Sequence, residues 1–189
     1  MREIPIEKIR KEIIIWLKEY QQKSFTKGFV IGVSGGIDSA VVSALCAETG
    51  LPTLCVTLPI HQSQEETERA IEHIDDLKSR FTNVQHQTLD LSHTFDQFVA
   101  DAPKATKDIT DLSLANARSR LRMLSLYYLA QINGYLVVGT GNKIEDFGIG
   151  FFTKYGDGGE DLNPVADLIK TEVYKMAEGI TIVESIRLD

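Results

Sequence analysis

The stretch Gly32-Val33-Ser34-Gly35-Gly36-Ile37-Asp38-Ser39-Ala40 follows the apolar run Phe29-Val30-Ile31 and opens onto a helical pattern from Asp38 to about Glu48. The apolar run reads as a buried strand, and Ala40, Val41, Ala44 and Leu45 fall on one face of the helix. A strand that enters a helix through Ser-Gly-Gly exposes backbone N–H groups at the helix N-terminus, where the helix dipole favours negative charge. The glycines let the backbone approach a ligand that a Cβ would hold off. The stretch therefore reads as a phosphate loop.

It is neither of the two commonest phosphate loops. A Walker A loop needs a Lys after its glycines, which is missing here, and Gly32 and Gly35 stand three apart, which excludes G-x-G-x-x-G. The loop offers instead two hydroxyls, Ser34 and Ser39, and the carboxylate of Asp38. A carboxylate beside phosphates needs a cation between them, so Asp38 implies Mg²⁺. The plainer reading makes Asp38 a helix N-terminal charge and Ser34 a turn former. The string S-G-G-x-D-S resembles the pyrophosphate loop of the ATP pyrophosphatases, which split ATP between its α- and β-phosphates. Their members include NAD, GMP, asparagine and argininosuccinate synthetases and tRNA-thiolating enzymes. The loop alone does not choose among them.

The chain has 189 residues, a length that suits one domain, 1–189, with a sizeable core. Its 20 basic against 27 acidic residues give a net charge of −7, which argues against nucleic acid as a partner. A site for a polyanionic nucleotide must then be a local basic patch, for which Arg120, Arg122, Lys154 and Lys170 are available. Cys46 and Cys55 fall in apolar segments and read as buried free thiols, with no C-x-x-C. The longest apolar run near the N-terminus, Ile13 to Leu17, is too short for a membrane span or signal peptide. The cytoplasm is the expected compartment.

Residues 5–21 read as an amphipathic helix with Ile6, Ile9, Ile13, Leu17 and Tyr20 on its docking stripe. Further strands are predicted at Thr53–Leu58, Val84–Leu89 and Tyr135–Val138, the third with the alternating character of a sheet edge. Helices are predicted over about Glu65–Arg80, Ser92–Ala100 (capped by Ser92 or Thr94) and Leu112–Ile132, with a polar loop from Asp101 to Thr110. Alternation of this kind gives an α/β fold with a parallel, doubly wound sheet. Ligands bind such sheets beyond the carboxyl ends of the strands, at the switch point. There Ser34–Ser39 should face Gly139-Thr140-Gly141-Asn142, with Glu145 in reach of Asp38, so that two carboxylates hold the metal.

Residues two apart on a helix point about 200° from each other. Arg118 and Arg122 therefore form one row and Arg120 lies across from them, so one of the two sets is free to bind phosphate or carboxylate. The segment from Gly141 to Gly159 holds six glycines with Phe147, Phe151, Phe152 and Tyr155 between them, and reads as a lid over a ring. A calcium loop beginning at Asp157 fails on spacing, since Gly159 takes its third position and Leu168 its twelfth.

The strings SGGIDSA, NARSRLRM, LVVGTGNKIED and FFTKYGDGGEDLNPVADLIKTEVY together resemble bacterial-type NAD synthetase, from about Ile31 to Ala177. FTKYGDGG is the most specific of them. The resemblance implies the Rossmann-like adenine nucleotide α-hydrolase fold and a homodimer. It implies ATP binding by Gly32, Val33, Ser34, Gly35, Gly36, Ile37, Asp38 and Ser39, with Thr140 and Lys170. Asp38 and Glu145 become the metal carboxylates, and Asp38, Glu145 and Lys170 the catalytic groups. Arg120, Lys154 and Asp161 become contacts to deamido-NAD. The implied reaction amidates deamido-NAD with ammonia through an acyl-adenylate, giving NAD, AMP and pyrophosphate, the last step of NAD biosynthesis. No glutaminase domain or cysteine for one is visible, so free ammonia is the expected donor. The family continues past residue 189 with a Pro-Thr-containing loop and a basic terminal segment, which ITIVESIRLD does not supply. Two other readings are a nucleotide-binding subunit or sensor without turnover, and a sister amidotransferase with another acid substrate. The histidines, 61, 73, 86 and 93, show no ligand spacing and receive no role.

Overall fold

A computed structural model describes residues 5–187; residues 1–4 and 188–189 lie outside it. Strands β1 (Gly28–Gly32), β2 (Thr53–Thr57), β3 (Val84–Thr88) and β4 (Tyr135–Val138) form one parallel sheet in the order β3-β2-β1-β4. Side chains alternate across a strand, and here both faces are apolar. Phe29 and Ile31 of β1, Cys55 of β2 and Leu136 and Val138 of β4 enter one core cluster, while Val30, Leu54, Val56 and Val137 enter a second on the opposite face.

The first face is covered by α1 (Ile6–Lys23), α2 (Ile37–Glu48), α3 (Gln64–Arg80) and α6 (Lys170–Gly179), with the short α7 (Glu184–Arg187) beside them. The second is covered by α4 (Ser92–Asp101) and α5 (Lys107–Asn133). The sheet is doubly wound, as the alternation predicts. Its direction reverses at β1, which pairs with β2 on one side and β4 on the other. The crevice that follows lies beyond Gly32 and Val138, where the phosphate loop and Gly139–Asn142 emerge.

The stripe on α1 docks as expected along most of its length: Leu17 is fully buried and Ile6, Ile9 and Ile13 pack on the core, but Tyr20 stays exposed beside Trp16. The strand at 84–88 is an edge strand, with only Val84 buried. Two local expectations fail. The helix at residue 92 is preceded by Leu91 and has no side-chain cap from Ser92 or Thr94; Asp90 Oδ1 instead accepts the Ser92 N–H at 2.8 Å. The polar loop ends earlier than Thr110, because α5 begins at Lys107. The segment Lys107-Asp108-Ile109-Thr110 looks like loop by composition, yet propagation of a helix already fixed by packing costs little per residue. Helix α5 stops at Gly134, whose φ of +71° suits glycine.

Cys46 and Cys55 are buried free thiols, and burial pushes both up, Cys55 to about 12. No helix among the described residues is long and apolar enough to cross a membrane. His73 of α3 is fully buried against α2, with Nε2 2.9 Å from Ser43 Oγ. Burial lowers its pKa from 6.5 to about 4, against the opposing pull of Asp76. The folded state thus favours neutral His73, whereas the unfolded chain protonates it near 6.5. This group costs nothing above pH 6.5 and withdraws stability as pH falls towards 4, by up to about 3 kcal/mol. Urea unfolding at pH 7 and pH 5 should show that loss in the wild type and a clearly smaller one in His73→Leu; an equal loss in both would assign it to other groups.

Candidate active site

The phosphate loop is built as its residues demand. Gly35 has φ +89°, and a Cβ there would lie 2.6 Å from the Glu66 carbonyl oxygen, so glycine is required twice over. Gly36 occupies the N-cap of α2 with no side-chain acceptor on the N–H groups that follow it. Ser39 Oγ donates to the Gly36 carbonyl at 2.9 Å and accepts the Ser34 N–H at 3.2 Å. The two hydroxyls, Ser34 and Ser39, lie 3.2 Å apart. Backbone donors and hydroxyls at a helix N-terminus are suited to an anion.

Asp38, on the first turn of α2, meets two partners from distant parts of the chain. Lys170, the first residue of α6, places Nζ in hydrogen-bond contact with Asp38 Oδ2 and 3.2 Å from Glu145 Oε1. Burial alone would lower the Lys170 pKa, but the hydrogen bonds and charges of Asp38 and Glu145 outweigh it and raise it. Of the residues that sequence reading proposed for ATP and catalysis, Ser34, Gly36, Asp38, Ser39, Thr140 and Glu145 line one recess of about 200 Å³. Lys170 reaches both of the carboxylates that line it, Asp38 and Glu145.

Asn142 carries a role that the sequence did not reveal. It is fully buried; Nδ2 donates to Asp38 Oδ1 at 3.2 Å, while Oδ1 accepts the N–H of Ile144 at 3.1 Å and of Glu145 at 3.2 Å. Those N–H groups open a π-helical turn, Ile144–Ile149. One amide therefore orients Asp38 and anchors the turn that carries Glu145. Nearby, Asp146 is raised by burial and then by the charges of Asp157, Glu145 and Asp38. Asn163 Nδ2 donates to Asp146 Oδ2 at 3.3 Å and Glu160 Oε1 at 3.2 Å.

A second, larger cavity of about 660 Å³ adjoins the recess, sharing Ser34, Thr140, Phe151 and Asp157 with it. Its floor is the switch point, Gly32, Val33 and Val138, and its wall includes Val56, Leu58, Met123 and Leu126, a largely apolar lining of the kind that holds a flat ring. Arg122 lines it and donates from Nε to the Leu58 carbonyl at 3.0 Å. Arg118 instead lies over the Phe95 ring at 4.7 Å. Arg120 points the other way, its Nε 3.0 Å from the Lys154 carbonyl, as helical spacing predicts.

The glycine-rich segment is stitched to α5. Ser119 Oγ donates to Asp157 Oδ1 and accepts the Asp157 N–H at 2.9 Å, and Thr153 Oγ1 donates to Asn116 Oδ1 at 2.8 Å. A Cβ on Gly156 would lie 2.2 Å from Ser119 Oγ, which explains that glycine. The aromatics Phe147, Phe151 and Tyr155 are more than two-thirds exposed along it, while Phe152 is about half exposed. Lys154 Nζ stands 5.0 Å from the Tyr155 ring centre. Asp161 lies apart from the carboxylate pair: Oδ2 accepts the Val137 N–H at 2.8 Å and Oδ1 the Tyr127 hydroxyl at 2.9 Å, which ties the segment to the edge of β4.

Two carboxylates that share one positive charge, with oxygen donors only, fit a hard divalent cation. Among the described residues no group of three or more His, Cys, Asp or Glu side chains is gathered to hold a metal by itself. A cation on Asp38 and Glu145 would therefore complete its shell with phosphate oxygens and water.

A doubly wound parallel sheet with an open helix N-terminus and paired carboxylates at its switch point is the architecture of the nucleotide-binding class of α/β proteins. Residues 9–188 match the NAD synthase family model. Over 180 residues the chain is 37% identical to the NH(3)-dependent NAD(+) synthetase of Finegoldia magna, covering 95% of this chain and 71% of that protein. The corresponding enzyme of Mesoplasma florum is 42% identical over 180 residues, covering 92% and 69%. Among solved structures, an NMN synthetase from Francisella tularensis superposes with a TM-score of 0.90 at 32% identity, covering 99% of this chain and 75% of that one. The NH3-dependent NAD synthetase of Campylobacter jejuni gives 0.87 at 30% identity, covering 98% and 77%. The chain belongs to the NAD synthase family of ligases.

Replacing Asn142 by Asp would set a buried acceptor against Asp38 where a donor now stands. Asn142→Asp should lose about 1–3 kcal/mol of stability at pH 7 by urea unfolding. The deficit should shrink as pH falls towards 5, because a protonated carboxyl can again donate. A pH-independent deficit would refute this role for the amide.

Proposed function

We propose that this chain is an ammonia-dependent NAD synthetase that joins ammonia to the nicotinate carboxylate of deamido-NAD at the expense of ATP. The observation that carries this reading is the meeting of the phosphate loop with Glu145 and Lys170, in a chain of the NAD synthase family. The triphosphate lies over the N–H groups of Gly35 to Ile37 and the hydroxyls of Ser34 and Ser39, with the adenosine in the larger cavity beside Thr140. Lys170 binds phosphate oxygens. Mg²⁺ on Asp38 and Glu145 would supply charge neutralisation to the phosphates.

The chemistry needs no protein nucleophile. The nicotinate carboxylate attacks the α-phosphorus and expels pyrophosphate, giving an acyl-adenylate; ammonia then attacks the carbonyl carbon, loses a proton and expels AMP. The protein contributes orientation and charge stabilisation, for which backbone donors and Lys170 are suited. Deamido-NAD lies on the other side of α5, where Arg120 and Lys154 provide cations and Asp161 fixes the segment between them. The stripe Leu124, Tyr128 and Ile132 on α5 is exposed at helical spacing, and with Trp16 and Ile15 of α1 it supports a homodimer. Buried free thiols suit a reducing compartment, and the cytoplasm belongs to the same reading.

The test is product analysis. Incubation with ATP, Mg²⁺, deamido-NAD and ammonia should give NAD and AMP in equal amounts, and Asp38→Ala should abolish both. A second reading comes from the likeness to the Francisella tularensis enzyme: the acceptor is the mononucleotide and the product NMN. Running nicotinate mononucleotide in parallel decides between them, since only the true acceptor should drive AMP release. AMP release with neither acceptor would overturn both.

Lys154→Ala should raise the KM for the acid substrate at least tenfold and change that for ATP less than threefold, since a lost charge-assisted contact costs about 1.5–3 kcal/mol. Equal losses for both substrates would remove Lys154 from the acid site.

A further inference from the structure

We infer that Lys170 is the resident counter-cation of the metal site, so that the chain binds a divalent cation together with its nucleotide and only weakly on its own. This rests on the reading of Asp38 and Glu145 as metal ligands. The ammonium reaches both carboxylates at once, on the Oδ2 of Asp38 and the Oε1 of Glu145. Asp38 Oδ1 is already taken by Asn142, so the oxygen that Lys170 occupies is the one a cation would need.

The charges around the recess require such a partner. Asp38 side-chain exposure is only 15%, and Asp146 and Asp157 stand close enough for their charges to act on one another. Two carboxylates that converge on one point without a cation repel. Lys170 relieves that repulsion in the nucleotide-free chain. A divalent cation that coordinates both oxygens at about 2.1 Å leaves no room for the ammonium between them.

Lys170 can leave without disturbing the fold. Its backbone starts α6, and the preceding turn is fastened by the Ile169 N–H on Glu172 Oε2 at 3.0 Å. Its charge sits on a flexible four-carbon stem with three rotatable donors. A bare cation would drive that charge into water with no new partner. A cation arriving with a triphosphate brings anionic oxygens to the same recess, and the ammonium moves to them. Metal and nucleotide binding are then positively coupled, and the coupling is reciprocal.

Manganese is the probe, with free Mn²⁺ read by electron paramagnetic resonance. In the absence of nucleotide, Lys170→Met and Lys170→Gln should bind Mn²⁺ about tenfold more tightly than the wild type, and Lys170→Arg no more tightly. The wild type should gain at least about tenfold in Mn²⁺ affinity with α,β-methylene ATP, beyond binding to the analogue alone, and the Met and Gln variants much less. The idea is overturned if both variants bind Mn²⁺ no better than the wild type, or if the wild type binds it equally well with and without the analogue. Two neutral variants guard against misfolding of one, and Mn²⁺-dependent thermal stabilisation provides a second readout. Product analysis on the wild type is independent: no NAD or NMN there would bring down the proposed activity while the Mn²⁺ comparison still decides the role of Lys170.

Discussion

One ammonium between two carboxylates joins three distant parts of this chain. Asp38 comes from the helix after β1, Glu145 from the turn after β4, and Lys170 from the start of α6, 132 residues from Asp38. They meet because the sheet reverses direction at β1, which leaves a crevice that no crossover helix covers. The cost of gathering negative charge there is met locally, by Lys170 on one oxygen of Asp38 and Asn142 on the other. A partly buried carboxylate with both oxygens satisfied is held in one orientation, and a site for phosphate chemistry depends on that constraint.

The two faces of the sheet divide the labour. The face covered by α1, α2, α3 and α6 carries the larger cluster of buried side chains and includes the α2 helix, of which ten residues are buried. It fixes the loop that receives phosphate. The face covered by α5 is less filled towards the carboxyl ends of the strands, and the larger cavity lies there. Rigid donors on one side and an apolar recess on the other match the two halves of a nucleotide.

Much of this was legible because it depends on local spacing. The apolar run, the two glycines and the helical pattern after them define strand, turn and helix without outside information, and parity along α5 separates Arg120 from Arg118 and Arg122. The edge character of β3 follows from its alternation. What the sequence concealed depends on contacts made far along the chain. Asn142 is one polar residue in a loop until its amide is seen against Asp38, 104 residues away. The start of α5 is hidden because Lys107 to Thr110 stay largely exposed and carry no docking stripe, and they are helical as the extension of a helix that packing fixes further along. Asp161, implied by family resemblance as a contact to deamido-NAD, also accepts the Val137 N–H and the Tyr127 hydroxyl, a structural role that no local spacing reveals.

That last observation changes how the glycine-rich segment is understood. Six glycines suggest a loose lid, but Gly156 is small so that the backbone can close against Ser119, and Gly141 so that Asp146 can lie against it. Glycine here permits contact, and freedom of motion is secondary. Asn116, Ser119 and Arg120, about one turn of α5, and Tyr127 about two turns further on, hold the segment in place, so its aromatics project from a fixed base. An acid substrate bound beneath them would meet a surface positioned in advance, and the ordering cost of binding would fall on the few exposed rings rather than on the whole segment.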